Sequence, residues 1–381
     1  MHFLTKLLLP IWIIWLLLNF IGCSEKEPIR FVDESAEVDL NAIEDIYAPA
    51  NVQLIMKKVC DWQVANPVER NDGNGMAWAR SAFYTGIMAT YRATGEAKYL
   101  NQVLGWGGAK QWKLDQRYDH ADDHASGQSY LEAYFEQPNS IIAHHAQRTF
   151  DRLIEENRVG RELYWWADAL FMSPPVAARL YAVTEDEKYL DFLNTMWWDT
   201  YDFLYDPEED LFFQSHWFFR KKTPNGYKTF WARANGWVMA GTVRVLQYLP
   251  EDNPFHERYV DLLSSMALAV AAQQQDDGLW RPSLLDVEEA PFPETSSSSF
   301  FVYAIAWGIN NGYLSEETYL PVVTKAWQAL VGAIHPNGKL GWVQPGGSKP
   351  DEVTYDNYQE FGAGAFLLAA SEILKLNAEL R

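Results

Sequence analysis

One ten-residue pattern occurs twice in the sequence, at residues 91–100 (YRATGEAKYL) and 181–190 (YAVTEDEKYL). Each copy is typical of the end of one helix, a tight turn and the start of the next helix. Looser versions lie around residues 248–259 and 313–319. A repeat of this kind predicts a series of helical hairpins that bury their apolar faces against one another.

Used as markers, these turns predict twelve helices in six pairs after about residue 41. The first helix of each pair is expected near residues 42–65, 97–113, 138–156, 187–204, 254–273 and 315–334. The second helix of each pair is expected near residues 78–93, 123–136, 173–183, 232–248, 296–312 and 358–376.

The two sets of helices differ in composition. The second set is rich in small and apolar residues, as at 361–374, whereas the first set carries charge on one face, as at 256–258. This contrast predicts an inner and an outer ring of helices. We therefore expect an all-α fold, an (α/α)6 barrel, with an open α-solenoid as the alternative. Short β-hairpins are expected as insertions, one from residues 211–220 and 227–230 and one near 276–280.

The N-terminus has the pattern of an export signal. Lys6 precedes an apolar stretch, and residues 20–23 (FIGC) resemble a bacterial lipobox. We predict a lipoprotein signal peptide over 1–22, lipidation of Cys23, a polar linker over 23–40 and a barrel domain over 41–381. The protein is then exported and held at a bacterial membrane only by its lipid; a plain secretory signal is the alternative. The net charge of −20, without a basic stripe, excludes nucleic acid as a partner.

The segments that lead into the second helix of each pair carry clusters of polar and aromatic residues. Inner helices of a barrel run in the same direction, so their starts meet at one mouth, where free N–H groups can hold an anion. The candidates for substrate binding at this mouth are Trp78, Asp122, His124, Gln128, Trp165, His216, Arg233, Asn235, Trp237 and Tyr358. Helix capping is the alternative role for Asp122, Asp123, the serines at 296–299 and Asp356.

Asp168 is the candidate acid at this mouth. It follows two tryptophans and precedes a helix start, where Ser173 is expected to cap and the prolines at 174–175 to fill the first turn. A carboxyl beside two indoles is expected to have a raised pKa and to donate a proton near neutral pH.

Several chemistries lack their motifs in this sequence. It contains no His-Glu-x-x-His, no paired Cys ligands, no glycine-rich phosphate loop and no Gly-x-Ser-x-Gly elbow. We therefore expect neither a metal site nor a cofactor. The remaining carboxylates, aromatics, arginines and amides are the groups of a sugar-cleaving site.

Three segments carry a family resemblance. Residues 166–175 (WADALFMSPP) contain Asp168, residues 231–237 (WARANGW) contain Arg233, and residues 294–298 read ETSSS. Together they resemble the acid-bearing, Arg-Gly-Asn-Gly-Trp and Glu-Thr-Ser-Gly-Ser segments of the unsaturated rhamnogalacturonyl hydrolases and the related unsaturated glucuronyl hydrolases. Two family glycines are replaced here, which we expect to reshape the substrate pocket.

The resemblance implies an (α/α)6 barrel and a hydrolysis without metal. The substrate is an oligosaccharide made by a lyase from pectin rhamnogalacturonan or an ulvan-type polymer, ending in a 4,5-unsaturated uronic acid. An Asp protonates C4 of the vinyl ether, water adds at C5, and the resulting hemiketal opens and releases the rest of the chain.

The resemblance also implies roles for individual residues. Asp168 matches the general acid and base, and Asp123, or Asp122, matches the second catalytic carboxylate. Arg233 is expected to bind the uronate carboxylate by charge-assisted hydrogen bonds, and Trp165 and Trp237 to stack on the sugar.

Two other functions fit the same residues. An inverting glycosidase would use Asp123 and Asp168 on a saturated glycoside, with carboxyl groups about 6.5–9.5 Å apart. A non-catalytic sugar-binding lipoprotein would use the aromatic mouth only for capture. The sequence carries no signal for oligomeric state.

Overall fold

Helices connected by short turns make up most of the structure. The computed structural model describes residues 39–68 and 77–379. Its α-helices in chain order are α1 (Pro49–Ala65), α2 (Trp78–Thr94), α3 (Ala97–Ala109), α4 (Ala121–His124), α5 (Ser126–Glu136), α6 (Ser140–Glu156), α7 (Gly160–Leu163), α8 (Ala169–Met172), α9 (Pro174–Thr184), α10 (Lys188–Leu204), α11 (Ala232–Leu246), α12 (His256–Ala271), α13 (Thr295–Asn310), α14 (Glu316–Gly332) and α15 (Glu360–Glu379).

The predicted N-terminal features fall outside this part of the chain. The signal peptide over 1–22, Cys23 and the linker up to residue 38 are not among the described residues. The first helix begins at Pro49 rather than near residue 42, because Leu40–Ala42 forms a separate 3₁₀ turn. No helix within the described ranges combines the length and the apolar character needed to cross a bilayer.

The repeated turn has the same construction in both copies. α2 ends at Gly95 and α9 ends at Glu185, with left-handed φ angles of 71° and 58°. The preceding Thr94 and Thr184 each donate a hydrogen bond back to the carbonyl four residues earlier, at 2.8 and 2.7 Å. The N–H groups of Gly95 and Glu185 donate to the carbonyls of Tyr91 and Tyr181, each at 2.7 Å, and so satisfy one of the free carbonyls that each helix end leaves.

The Lys-Tyr pair of each repeat holds the preceding outer helix. Lys98 and Tyr99 donate to Asp61 of α1, at 2.8 and 3.0 Å. In the second copy, Tyr189 donates to Asp151 of α6 at 2.6 Å, and the adjacent lysine lies 3.1 Å from the same carboxylate. The repeat is therefore a clamp between successive outer helices.

Six helices form a closed inner ring. In order around the ring, α2, α5, α9, α11, α13 and α15 each pack against the next, and α15 packs against α2. Helices α1, α3, α6, α10, α12 and α14 pack outside them. All of α11 is buried, whereas α6 buries one face and exposes the other. Ring closure excludes the open solenoid and confirms the (α/α)6 barrel.

The seam between the first and last inner helices depends on two glycines. A Cβ on Gly86 of α2 would lie 2.8 Å from the Cα of Gly364 on α15, and a Cβ on Gly364 would lie 2.8 Å from the Cα of Phe83. Both distances are shorter than side chains tolerate, so larger residues would push the two helices apart.

The end of the barrel at which the inner helices finish contains a buried cluster of charges. Glu132 accepts hydrogen bonds from Arg179 (2.6 Å), Arg244 and Arg92 (3.2 Å). Burial opposes ionisation of Glu132, but the three guanidiniums outweigh it and lower its pKa to about 2. Three arginines around one carboxylate leave an excess of positive charge where the helix dipoles are negative, which is favourable.

The first predicted β-hairpin is wrong. β1 (Tyr205–Asp206) pairs antiparallel with β2 (Leu211–Phe212). The strand at 211 therefore pairs with an earlier segment of the chain and not with the later one at 227–230. The later part of the expected first strand, 211–220, contains a 3₁₀ helix at His216–Phe218 instead. The turn at 224–226 does form, but it is flanked only by a single bridge, Lys222 with Lys228.

Several expected helix caps differ in the structure. Ser173 precedes α9 and the two prolines fill its first turn, but its hydroxyl bonds His124 and Tyr164 instead of a helix N–H. Glu294, rather than the serines that follow it, caps α13 by accepting from the N–H groups of Ser296 and Ser297.

Candidate active site

A cleft of about 220 Å³ opens at the end of the barrel where the inner helices begin. Its walls come from the segments entering α2, α4 and α8 and from two loops. The lining residues are Trp78, His120, Asp122, Trp165, Trp166, Asp168, Met172, Gln214, Trp217, Gly347 and Ser348. Aromatic faces with two carboxyl groups suit a sugar ligand.

Asp168 lies at the N-terminal end of α8. Its segment is fixed because the Ala167 N–H donates to the carbonyl of Gln214 at 2.8 Å, next to a bridge between Trp166 and Ser215. Burial raises the pKa of Asp168 to about 6, although the charge of Arg233 and the amide of Gln214 lower it. The side chain is half-buried, and its Oδ1 has no hydrogen-bond partner among the described residues.

Asp122 is the second carboxyl group in the cleft. Its side chain is 21% exposed. Burial raises its pKa to about 7, with a further contribution from the negative charge of Asp168, while Arg117 opposes the shift. The two carboxyls are therefore electrostatically coupled, and both hold protons at a higher pH than an ordinary Asp does.

Asp123, which the sequence suggested as the second catalytic carboxylate, is paired with Arg117 and does not line the cleft.

 The Arg117 side chain and backbone N–H both donate to it, the latter at 2.7 Å, and only 4% of its side chain is exposed. Of the two adjacent residues that the sequence left open, Asp122 is the one in the cleft. His124 is also buried, bonded to Ser173 and to the carbonyl of Tyr118, and burial lowers its pKa to about 4.

Gln128 and Asn235 serve the scaffold rather than the cleft. Gln128 donates to the carbonyl of Phe171 at 2.7 Å and accepts from Arg244. Asn235 exchanges hydrogen bonds with the backbone of Phe212 at 2.8 and 3.1 Å. Both side chains are fully buried, and neither lines the cleft, so their contact with substrate stays a prediction.

Arg233 and Trp237 lie beneath the cleft. Arg233 is 1% exposed, and its guanidinium donates to the carbonyls of Gln344 and Pro345, each at 2.8 Å. Trp237 is fully buried, with its ring 6.0 Å from that of Trp78. Neither side chain is among the residues that line the cleft, although the charge of Arg233 acts on Asp168, so their contact with the uronate carboxylate and the sugar stays a prediction.

The remaining candidates divide between the cleft and its surroundings. Trp78 and Trp165 line the cleft, and their contact with substrate stays a prediction. His216 is exposed beside it, with its ring 6.5 Å from that of Trp165. Tyr358 packs edge-on against Trp62 at 5.1 Å and does not line the cleft. Across residues 39–68 and 77–379, no three His, Cys, Asp or Glu side chains are grouped so as to hold a metal ion.

The family of the chain follows from comparison with known proteins. The family model described as Glycosyl Hydrolase Family 88 matches residues 55–377, nearly the whole barrel. The chain belongs to Glycosyl Hydrolase Family 88. This confirms the resemblance read from the three sequence segments, and it makes the protein a glycoside hydrolase.

Individual relatives agree with this membership. An unsaturated 3S-rhamnoglycuronyl hydrolase of Formosa agariphila is 36% identical over 347 residues, covering 86% of this chain and 91% of the relative. A protein of the same name from an Alteromonas species is 33% identical, and the match covers 98% of this chain and 99% of that protein. Among solved structures, a protein named a polysaccharide lyase is 34% identical to this chain and superposes with a TM-score of 0.82. The match covers 88% of this chain and 99% of that protein.

Two of the three segments that carry the family resemblance, residues 231–237 and 294–298, support a loop and do not line the cleft of this family 88 chain. Trp231 donates to the side chain of Gln344 at 2.9 Å, Arg233 donates to its carbonyl, and Glu294 accepts from its N–H at 3.0 Å. These bonds fix the position at which the loop carries Gly347 and Ser348 into the cleft.

Sequence reasoning missed several cleft residues, namely His120, Trp166, Met172, Gln214, Trp217, Gly347 and Ser348. Trp166 and Met172 lie within the segment around Asp168, and His120 lies two positions before Asp122, so proximity along the chain was an available signal. The loop with Gly347 had no such signal, because long-range contacts place it.

Proposed function

We propose that this family 88 enzyme removes a terminal 4,5-unsaturated uronic acid from lyase-generated oligosaccharides, of the pectin rhamnogalacturonan or ulvan type. The names of the two relatives, unsaturated 3S-rhamnoglycuronyl hydrolase, support a substrate with rhamnose beside the unsaturated uronate. The observation that carries the proposal is the pair of carboxyls with raised pKa values, Asp122 and Asp168, in one aromatic cleft.

In the proposed reaction Asp168 delivers a proton to C4 of the vinyl ether. The electrons of the C4=C5 double bond form the new C–H bond, and positive charge develops at C5, shared with the ring oxygen. A water molecule attacks C5 and loses its proton to the Asp168 carboxylate, which restores the acid. The hemiketal then opens, and the remaining oligosaccharide leaves as an alcohol.

Asp122 is the proposed partner of Asp168. Because the two carboxyls are coupled, the pair holds one proton between about pH 6 and about pH 7. In that range the proton is shared between the two carboxyls, and the reaction starts from the form in which Asp168 carries it. Asp123 takes no direct part in this proposal, because Arg117 holds it outside the cleft.

The test uses unsaturated oligosaccharides from lyase digests of pectin rhamnogalacturonan and of an ulvan-type polymer. Hydration destroys the conjugated double bond, so its ultraviolet absorbance should fall, and Asp168→Asn should slow that fall by roughly 10²–10⁴. Near-normal activity in Asp168→Asn would overturn the role of Asp168.

The same experiment separates other reactions. A lyase acting on the intact polymer would raise the absorbance, because β-elimination creates the double bond. An inverting glycosidase would cleave a saturated glycoside as well, using Asp122 and Asp168. Tight binding of the unsaturated oligosaccharides without any turnover would favour a sugar-capturing protein.

We also propose that the protein is exported and lipid-anchored through Cys23, on the strength of the apolar N-terminal stretch and the lipobox-like residues 20–23. Expression of the full chain with a radiolabelled fatty acid should label the wild type and not Cys23→Ala. Equal labelling of both, or soluble wild-type protein, would contradict the anchor.

A further inference from the structure

A row of aromatic side chains leads away from the cleft. Trp217 is 56% exposed and lines the cleft, with its ring 5.1 Å from that of Trp165. Ring contacts continue from Trp217 to His216 (5.3 Å), from His216 to Phe203 (6.0 Å) and from Phe203 to Phe219 (5.6 Å). We call Trp217, His216, Phe203 and Phe219 the aromatic ridge.

The backbone holds part of this ridge outward. In the 3₁₀ helix His216–Phe218 and the residue after it, Phe218 is buried while Trp217 and Phe219 are 56% and 41% exposed. The adjacent Phe213 is also buried. Apolar residues exposed in a contiguous row commonly mark a binding surface, and flat aromatic faces suit sugar rings.

Three cations follow the ridge directly. Arg220, Lys221 and Lys222 are exposed, and no acidic side chain in the described parts of the chain forms an ion pair with them. The nearby carboxylates of Asp206 and Glu208 are paired with Lys228, at 2.8 and 2.7 Å. On a protein of net charge −20, a run of three unpaired cations favours an anionic partner.

The geometry points to a binding function for this surface: it holds the sugars that follow the reacting uronate in an anionic oligosaccharide. The inference rests on the proposed function, because the occupant is the remainder of the same substrate. Trp217 belongs to both the cleft and the ridge, so a chain that leaves the cleft past Trp217 continues onto Phe219. Acidic groups farther along the chain then lie beside Arg220 and Lys222. Long lyase products are therefore preferred over the disaccharide.

The experiment compares the unsaturated disaccharide with the unsaturated tetrasaccharide from the same lyase digest. The wild type should have the lower KM for the tetrasaccharide. Phe219→Ala should raise the ratio of tetrasaccharide KM to disaccharide KM by about three- to tenfold, through the lost sugar stacking. Tyr227→Ala removes an aromatic side chain that is 52% exposed and makes no ring contact among the described residues, and it should leave the ratio unchanged.

The cations are tested with a matched pair of double variants. Arg220→Gln with Lys222→Gln should raise the same ratio and reduce the weakening of tetrasaccharide binding by salt. Arg148→Gln with Lys325→Gln also removes one exposed Arg and one exposed Lys, and should change neither quantity. An unchanged ratio in both Phe219→Ala and the Arg220/Lys222 variant would overturn the inference.

A failure of the proposed reaction can be distinguished from a failure of the aromatic-ridge inference. If no unsaturated oligosaccharide is turned over, the proposed reaction is wrong, and calorimetric titration with the tetrasaccharide still tests the ridge. Weaker binding in the Phe219 and Arg220/Lys222 variants would then support it. Equal binding by these variants and the wild type would contradict it.

Discussion

Asp122 and Asp168 share one cleft, and Asp168 gives up its proton at the lower pH. Burial raises both pKa values, to about 7 for Asp122 and about 6 for Asp168, and the charge of ionised Asp168 adds to the shift of Asp122. The order of ionisation gives the pair a narrow range in which it holds a single proton.

The value of kcat/KM should therefore fall in two stages as pH rises. From about pH 6 Asp168 ionises, so only a fraction of the molecules carry the proton that is delivered to C4, and above about pH 7 the pair has lost its last proton. In Asp122→Asn the fall near pH 7 should disappear, leaving a single fall near pH 6 as Asp168 loses its proton. Asp119→Asn, outside the cleft, serves as the control; an Asp122→Asn profile that keeps the fall near pH 7 would contradict the pairing.

Asp123→Asn should lower stability more than it lowers kcat. Asp123 accepts a hydrogen bond from the backbone N–H of Arg117 and pairs with its guanidinium, so the substitution should cost about 1–3 kcal/mol in the free energy of unfolding. Asp122→Asn should have the opposite profile, with kcat reduced and the urea midpoint nearly unchanged. If instead Asp123→Asn reduced kcat and Asp122→Asn reduced stability, Asp123 would be the second catalytic carboxylate.

Arg233→Lys should raise KM by about tenfold with a smaller effect on kcat, because one ammonium replaces a guanidinium that reaches two carbonyls. Those carbonyls, on Gln344 and Pro345, fix the loop that brings Ser348 to the cleft. Steady-state kinetics on the unsaturated disaccharide measures the effect. Arg152→Lys, at an exposed ion pair with Glu156, is the matched control; equal KM values in both variants would argue against a positioning role for Arg233.

Glu132→Gln should destabilise the barrel by about 3–5 kcal/mol, because it leaves buried arginines without their counter-charge. The pKa of Glu132 is lowered to about 2 in the folded chain, so its contribution to stability is present above its unfolded pKa and is lost as pH falls towards 2. Urea unfolding from pH 7 to pH 3 should therefore lose stability more steeply in the wild type than in Glu132→Gln. Glu136→Gln, at a partly exposed pair with Arg92, should behave like the wild type.

The helices were predictable because the sequence patterns that indicate a helix lie within the helix itself and its flanking turns. Apolar periodicity, the repeated turn and the small-residue composition of alternate helices indicated both rings. All twelve long helices appear in their expected places, and only the start of α1 lies more than a few residues from the prediction. The β-hairpin failed because residue 211 pairs with residue 206 and the side chain of Asn235 bonds the backbone at Phe212. Neither contact follows from a turn signal at 224–226.

The site was less predictable than the fold. Asp122 and Asp123 are neighbours on the four-residue helix α4, and only the position of Arg117 shows which of them faces the cleft. Residue type also does not distinguish a side chain that bonds a sugar from one that bonds the backbone, as Asn235 bonds the backbone of Phe212. The loop carrying Gly347 depends on contacts with residues far away in sequence, such as Arg233.

The glycine contact between α2 and α15 has a consequence for how the molecule forms. Gly86 and Gly364 lie near opposite ends of the chain, so their meeting is the contact with the largest loop-closure entropy in the ring. The five earlier hairpins can assemble by local contacts, but the ring is complete only when the last helix arrives. During synthesis the ring therefore stays open until the last helix arrives, and the cleft, whose walls come from both sides of that seam, is complete only then.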